Sequence, residues 1–151
     1  MRWRRPLAAA LGGLVFVYAV AYADLVLRAR SAYQEGEKYM AWHERPELKK
    51  AALDAELAVR EAQIREEAAS GKWGREELEQ RLSLARFQRD ERMKESSLKY
   101  AYVWYKTATE LFTPPESRWV KLCREKAPVA KELWKKELDA QKIPYEDYML
   151  E

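Results

Sequence analysis

The feature that most constrains this chain is an uncharged apolar run near its start, from Leu7 to Ala23. Continued to Leu27, the run includes a single charge, Asp24. As an α-helix, Leu7 to Leu27 would measure about 31 Å, which is close to the thickness of the hydrocarbon layer of a bilayer. The run therefore predicts a transmembrane helix over residues 6–27.

Basic residues ahead of the run predict its orientation. The N-terminal segment, residues 1–5, carries Arg2, Arg4 and Arg5. Positively charged flanks tend to stay on the cytoplasmic side, so the rest of the chain is expected to cross the membrane. We expect a single-pass protein of the bacterial inner membrane, with its body in the periplasm or outside. Aromatic residues with a polar edge concentrate at membrane interfaces, which predicts interfacial positions for Trp3, Tyr18 and Tyr22.

The same segment also fits a cleavable secretory signal. Ala21-Tyr22-Ala23 follows the apolar core and has the A-x-A pattern of a cleavage site. Cleavage after Ala23 would release a periplasmic helical adaptor or chaperone-like protein. Both interpretations send the body across the membrane and differ only in whether it stays tethered. The apolar residues Leu25 to Leu27, beyond the site, favour the uncleaved anchor.

The remainder of the chain has the composition of a helical protein. Charged residues make up 35% of the sequence, glycine occurs at only five positions, and the abundant Ala, Glu, Lys, Leu and Arg favour helix. We expect an all-α fold, in which an antiparallel helical hairpin and a C-terminal helical pair follow the single N-terminal transmembrane helix. The segments are a membrane-proximal helix over 28–45, the hairpin over 46–112, and a C-terminal segment with an acidic tail over 113–151.

Prolines and glycines predict where helices end. The residue before Pro46 should avoid the helical conformation and end the first long helix, within which Gly36 is a weak point. Gly71 is suited to the left-handed position that follows a helix. The next helix is predicted to run from Arg75 to Phe112.

Two further signals concern the last helix. Thr113 is predicted as its N-cap, with Glu116 as the partner in a capping box. Pro128 is predicted to kink that helix or to split it in two.

Groups that could carry chemistry are few. His43 is the only histidine and Cys123 the only cysteine, so no disulfide can form within the chain, and Cys123 is interpreted as a small apolar core residue. No sequence motif for metal-dependent hydrolysis, nucleophilic catalysis or phosphate binding is present. We therefore expect a non-catalytic protein without a cofactor, a bound metal or a small-molecule substrate. The near-neutral body also argues against nucleic-acid binding.

Aromatic side chains are the most informative feature of the body. They suit either a core or the centre of a protein interface. The candidate partner-binding residues are Tyr100, Tyr102, Trp104, Tyr105, Trp119, Trp134, Tyr145 and Tyr148. The tail, residues 145–151, is expected either to dock on a partner or to be disordered.

An anchor, long amphipathic helices and the lack of a catalytic set together suggest a function. We expect an accessory, assembly or scaffold subunit of a membrane or cell-envelope protein complex. Its partners would be membrane lipid and the other protein subunits.

Overall fold

The computed structural model describes the backbone of residues 4–150 and the side chains of residues 11–150. Within that range the chain is helical and contains no β-strand, which confirms the all-α prediction. The predicted features Arg2 and Trp3 lie outside the described residues, as do the side chains of Arg4 and Arg5. The elements are α1 (Arg4–Glu44), α2 (Pro46–Ala69), α3 (Arg75–Lys94), α4 (Ser97–Leu111), α5 (Arg118–Ala140) and a 3-10 helix (Asp147–Leu150).

The chain divides into two compact units. The first unit comprises Met1–Met40 and Leu98–Glu151, and the second comprises Ala41–Ser97. The first unit contains most of α1 and α4 and all of α5. The second unit contains α2 and α3.

Helix α1 is a single uninterrupted helix of 41 residues, about 60 Å long. It includes both the predicted transmembrane helix and the predicted membrane-proximal helix. Arg45 leaves the helical conformation, with φ −134° and ψ 83°, and Pro46 begins α2. The prediction that Pro46 separates two helices is confirmed.

The first unit is built where the second half of α1 packs with α4 and α5. Small residues let these helices approach closely: Ala29, Ala32 and Gly36 of α1 are all buried. A Cβ atom on Gly36 would lie only 2.3 Å from Cε1 of Tyr105. Gly36 is therefore a point of close packing and not simply a weak point in the helix.

Aromatic contacts show how the three helices of this unit pack on one another. Tyr105 of α4 packs on Gly36, and Tyr100 of the same helix stacks on Tyr39 with ring centroids 5.2 Å apart. Later positions in α1 thus meet earlier positions in α4, so the two helices run in opposite directions. Trp119 and Trp134 connect α5 to α1 and α4 in the contacts Tyr33–Trp119 (5.4 Å) and Tyr102–Trp134 (6.1 Å).

The second unit rests on a narrow apolar seam between α2 and α3. Its buried apolar residues include Leu53 and Ile64 of α2 and Ala85 of α3. Gly71 has φ +80°, and its N–H donates to the Ala68 carbonyl while that of Lys72 donates to Glu67. This is the Schellman arrangement, which confirms the predicted role of Gly71 at the end of α2.

The helix predicted from Arg75 to Phe112 is interrupted, and this prediction is wrong. Helix α3 ends at Lys94, and Glu95 is extended, with φ −62° and ψ 141°. The Nζ atom of Lys49, which is only 7% exposed, donates to the carbonyl oxygens of Met93 and Glu95 at 3.1 and 2.6 Å. An ammonium group at the C-terminal carbonyls of a helix stabilises that end. Lys49 is 44 residues away from Met93 along the chain, so no local sequence pattern predicts that α3 ends here.

The start of α5 also differs from the sequence prediction. The N-cap is Ser117, whose hydroxyl accepts a hydrogen bond from the Val120 N–H, so the prediction of Thr113 as the cap is wrong. Glu116 instead forms a two-pronged ion pair with Arg124, at 2.5 and 2.9 Å. Helix α5 continues through Pro128 without being split.

The C-terminal tail packs against the helices of the first unit. Leu150, in the 3-10 helix, is 3% exposed and belongs to the same buried cluster as Tyr105 and Trp134. Asp147 pairs with Lys135 of α5 at 2.8 Å. The tail is therefore packed within this unit through residue 150, whereas the sequence suggested partner docking or disorder.

Candidate functional site

The stretch of α1 from Leu11 to Val20 exposes apolar side chains in every direction. Helical residues are 100° apart around the axis, so the consecutive residues from Leu14 to Tyr18 point to all sides. The residues Leu11, Leu14, Val15, Phe16, Val17, Tyr18 and Val20 are 53–71% exposed. A helix that is apolar all round needs an apolar environment.

The helix from Leu11 to Glu44 is long and apolar enough to cross a membrane, and none of its apolar window is buried within the described structure. Moving a side chain the size of valine or phenylalanine from water into an apolar medium is favourable by about 1.5–3 kcal/mol. Several such side chains lie exposed along this one segment. Length, composition and exposure together make it a candidate membrane segment.

Of the predicted interfacial aromatics, Tyr18 and Tyr22 can be located. Their rings are neighbours one helical turn apart, with centroids at 6.5 Å, and both are exposed. Tyr22 precedes Asp24, which forms an ion pair with Arg28 at 2.7 Å. The first charged residue after the apolar segment therefore lies within one helical turn of Tyr22.

A polar cluster lies inside the first unit, where α1, α4 and α5 meet. The hydroxyl of Tyr105, a residue that is 0% exposed, donates to Oε1 of Glu37 at 2.5 Å. The Nζ atom of Lys126 donates to both oxygens of the same carboxylate, at 2.6 and 2.7 Å. Glu37 thus joins one residue from each of the other two helices.

Opposing effects set the pKa values in this cluster. Burial alone would raise the pKa of Glu37, but hydrogen bonds from Lys126 and Tyr105 lower it below its usual value. Burial would lower the pKa of Lys126, but its bond to the Glu37 carboxylate raises it overall. Burial and the neighbouring carboxylate both raise the pKa of the Tyr105 phenol. All three groups therefore hold their ordinary charge states near neutral pH, which suits a structural connection between helices.

Cys123 lies next to this cluster and is fully buried. Burial, with the charge of Glu37, raises the pKa of its thiol to about 11. Nucleophilic cysteines need a lowered pKa and access to solvent. Cys123 has neither, in agreement with its interpretation as an apolar core residue.

Most of the candidate partner-binding aromatics are packed inside the first unit. Tyr102, Tyr105 and Trp134 are buried, and Tyr100, Trp104, Trp119 and Tyr145 are half-buried. Only Tyr148 is largely exposed, at 65%. The structure thus brings these residues together as a core, and the faces that could meet a partner are the outer edges of the half-buried rings and Tyr148.

The remaining chemistry-bearing residues do not converge. His43 is exposed at the end of α1, and among the described residues no group of three or more His, Cys, Asp or Glu could hold a metal ion. The carboxylates of α3 form ion pairs, such as Asp90 with Arg89 and Glu91 with Lys94.

Three residues with a clear structural role were not singled out from the sequence: Glu37, Lys126 and Lys49. Their partners are 68, 89 and 44 residues away along the chain. Each is a charged residue on a helix rich in charges. No sequence signal separates it from its solvent-facing neighbours.

No protein-family model, curated protein or solved structure significantly matches this chain.

Proposed function

We propose that this protein is a non-catalytic, single-pass membrane protein that serves as an accessory, assembly or scaffold subunit of a membrane or cell-envelope complex. The observation that carries the proposal is the stretch of α1 from Leu11 to Val20, whose apolar side chains are exposed on all sides. Lipid is the environment in which such a surface is stable. The second half of the same helix is part of a packed unit, so the anchor and the body are continuous.

The proposal includes an antiparallel hairpin of α2 and α3 as the part that meets other subunits. Two contacts support the opposite direction of the two helices. Lys49, near the start of α2, donates to the Met93 carbonyl near the end of α3 at 3.1 Å, and Glu61, later in α2, pairs with Arg86, earlier in α3, at 2.7 Å.

Apolar residues on the hairpin support a protein partner. Val59, Leu84 and Phe87 are each more than half exposed. Aromatic and aliphatic side chains are favoured at the centre of a protein interface, and polar residues surround them at its rim. Membrane lipid and other protein subunits are therefore the proposed partners.

For the location, we propose the bacterial inner membrane with the N-terminus cytoplasmic. The three arginines of residues 1–5 support this direction through the positive-inside rule. The first turn beyond the other end of the segment carries two basic residues, Arg28 and Arg30, against these three.

Extraction of membranes with alkaline carbonate tests the anchor. The wild-type chain should stay in the pellet, whereas Val17→Glu should shift it to the supernatant, because a carboxylate at the centre of the segment costs about 2.5–3.5 kcal/mol. Val129→Glu, on a valine of α5 that is also more than half exposed, should leave the chain in the pellet. Release of the wild-type chain would contradict the anchor.

Purification in mild detergent tests the role as a subunit. The chain should elute as part of a larger assembly, and Phe87→Glu should shift it toward the monomer without lowering its thermal stability. The matched control is Gln88→Glu, which introduces the same charge at the neighbouring exposed position. A wild-type chain that elutes as a monomer without companions would overturn this part of the proposal.

The second candidate is a secreted adaptor released by cleavage, which Ala21-Tyr22-Ala23 favours. The N-terminal mass of the mature protein separates the two. A mass that begins at Asp24 would replace the anchored subunit with the released adaptor.

A further inference from the structure

Helix α1 leaves its apolar segment at Leu27. Ala29 and Tyr33 lie about 3 and 9 Å beyond Leu27 along the helix axis. The headgroup region of a bilayer is about 5–7 Å thick on each side. If α1 crosses the membrane as proposed above, residues 29–33 lie at the level of the headgroups or just beyond them.

The end of α4 lies at the same level. Tyr105 packs on Gly36 in an antiparallel arrangement, Leu111 follows Tyr105 by six residues, and Arg30 precedes Gly36 by six. Because both helices rise equally per residue, Leu111 lies at the height of Arg30. Leu111 is 68% exposed, so the first unit presents an aliphatic side chain close to the membrane surface.

The start of α5 reaches this level too. Two guanidinium groups lie near the ring of Trp119, with Cζ of Arg30 at 5.7 Å and Cζ of Arg118 at 5.8 Å from its centroid. Tyr33 contacts the same ring. A half-buried tryptophan beside arginines is a combination that favours the interface between lipid and water.

The charge of this region is positive. Residues 24–30 and 111–124 contain five basic side chains and two acidic ones, and both acidic side chains are in ion pairs, Asp24 with Arg28 and Glu116 with Arg124. Among the residues that the structure describes, Arg30, Arg118 and Lys121 form no ion pair. These three cations remain available to an anionic surface.

We propose that Leu111, Trp119, Arg30, Arg118 and Lys121 form a membrane-contacting collar that rests on anionic lipid headgroups beside the anchor. The inference rests on the proposed membrane anchor and adds to it a second, peripheral contact. Leu111 and Trp119 supply the apolar contact, and the three cations supply electrostatic attraction to phosphate. The collar holds the first unit against the membrane surface in a fixed orientation.

Spin labels on single cysteines test the depth of the collar. In a Cys123→Ala background, the labelled variants are Leu111→Cys, Val129→Cys and Phe16→Cys, reconstituted in vesicles of equal parts phosphatidylcholine and phosphatidylglycerol. The label at 111 should collide several-fold more with oxygen than with a water-soluble nickel chelate. The label at 129, on an exposed aliphatic position of α5, should show the reverse.

Charge reversal tests the part played by the headgroups. In vesicles of phosphatidylcholine alone, the label at 111 should lie shallower than in the anionic mixture. Arg118→Glu should abolish that difference. It should not harm folding, because Arg118 is exposed and is the first residue of α5, where a carboxylate is favourable. Lys136→Glu, 18 residues further along α5, should retain the difference.

The label at Phe16 separates failure of the collar from failure of the anchor. If position 16 is in lipid and position 111 is in water, the collar is overturned and the anchor stands. If position 16 is in water, the anchor is overturned and the collar with it. Equal depth of position 111 in the two vesicle types would overturn the recognition of anionic headgroups.

Discussion

In the first compact unit Tyr105 is completely buried against Gly36 and shares a carboxylate with Lys126, whereas in the second unit the buried apolar seam is narrow and ion pairs run along its surface. The first unit packs large aromatic rings closely, so there is little space for a larger side chain. The second unit has a small core, and surface ion pairs add about 0–1 kcal/mol each. We expect single substitutions to affect the first unit more than the second.

Gly36→Ala should have the largest effect. The added Cβ would overlap the ring of Tyr105, so we expect a loss of about 3 kcal/mol from the free energy of unfolding of the first unit, the upper end for overpacking. The rate of alkylation of buried Cys123 measures the opening of this unit and should rise. Gly12→Ala, on the same helix with nothing within 4 Å of the new Cβ, is the control. Equal alkylation rates in the two variants would show that the close packing at Gly36 is not stabilising.

Leu53→Ala should have the next largest effect, and in the second unit. Leu53 is 1% exposed, and its truncation should cost about 2 kcal/mol, the low end for leucine, because the seam is only two helices wide. Hydrogen exchange of peptides from α2 and α3 is the measurement. Leu84→Ala, on an exposed residue of α3, should change exchange little. A cost at Leu53 larger than that at Gly36 would reverse the comparison between the units.

Lys49→Met tests the long-range cap of α3. Methionine keeps the apolar stem but leaves the carbonyls of Met93 and Glu95 without the ammonium group. We expect a loss of about 1–2 kcal/mol and faster amide exchange confined to the last turn of α3. The neighbouring exposed Lys50→Met should be near neutral. Unchanged exchange at the end of α3 would mean that the cap does not stabilise the helix.

The smallest expected effect is a pH dependence that belongs to Glu37. Burial opposes ionisation of Glu37, but bonds from Lys126 and Tyr105 leave its pKa in the folded chain below its value in the unfolded chain. The stability it contributes is therefore complete above that unfolded value and is lost as pH falls through the folded pKa. The alkylation rate of Cys123 should rise as pH falls in the wild type, and it should depend less on pH in Glu37→Gln.

The control for this titration is Glu125→Gln, which changes an exposed carboxylate of α5. Its profile should follow the wild type. If both variants are equally flat, the acid sensitivity of the first unit belongs to its general charge and not to the Glu37 cluster.

The sequence by itself determined the features that depend on neighbouring residues. The apolar run, the separation of α1 from α2 at Pro46 and the left-handed Gly71 were predictable, because helix propensity, proline sterics and glycine freedom act within a few residues. The all-α class follows from the same local preferences. The burial of Cys123 follows from its small apolar side chain.

The tertiary structure decided the features that depend on distant partners. Lys49 binds the carbonyls where α3 ends, Ser117 rather than Thr113 caps α5, and Leu150 joins the core. The sequence was compatible with the aromatic residues forming either a core or a partner surface. The packing of α1, α4 and α5 around Tyr105 places most of them in the core. A lysine, a glutamate or a glycine has the same local preferences whether it faces water or a helix far along the chain, and packing alone separates the two cases.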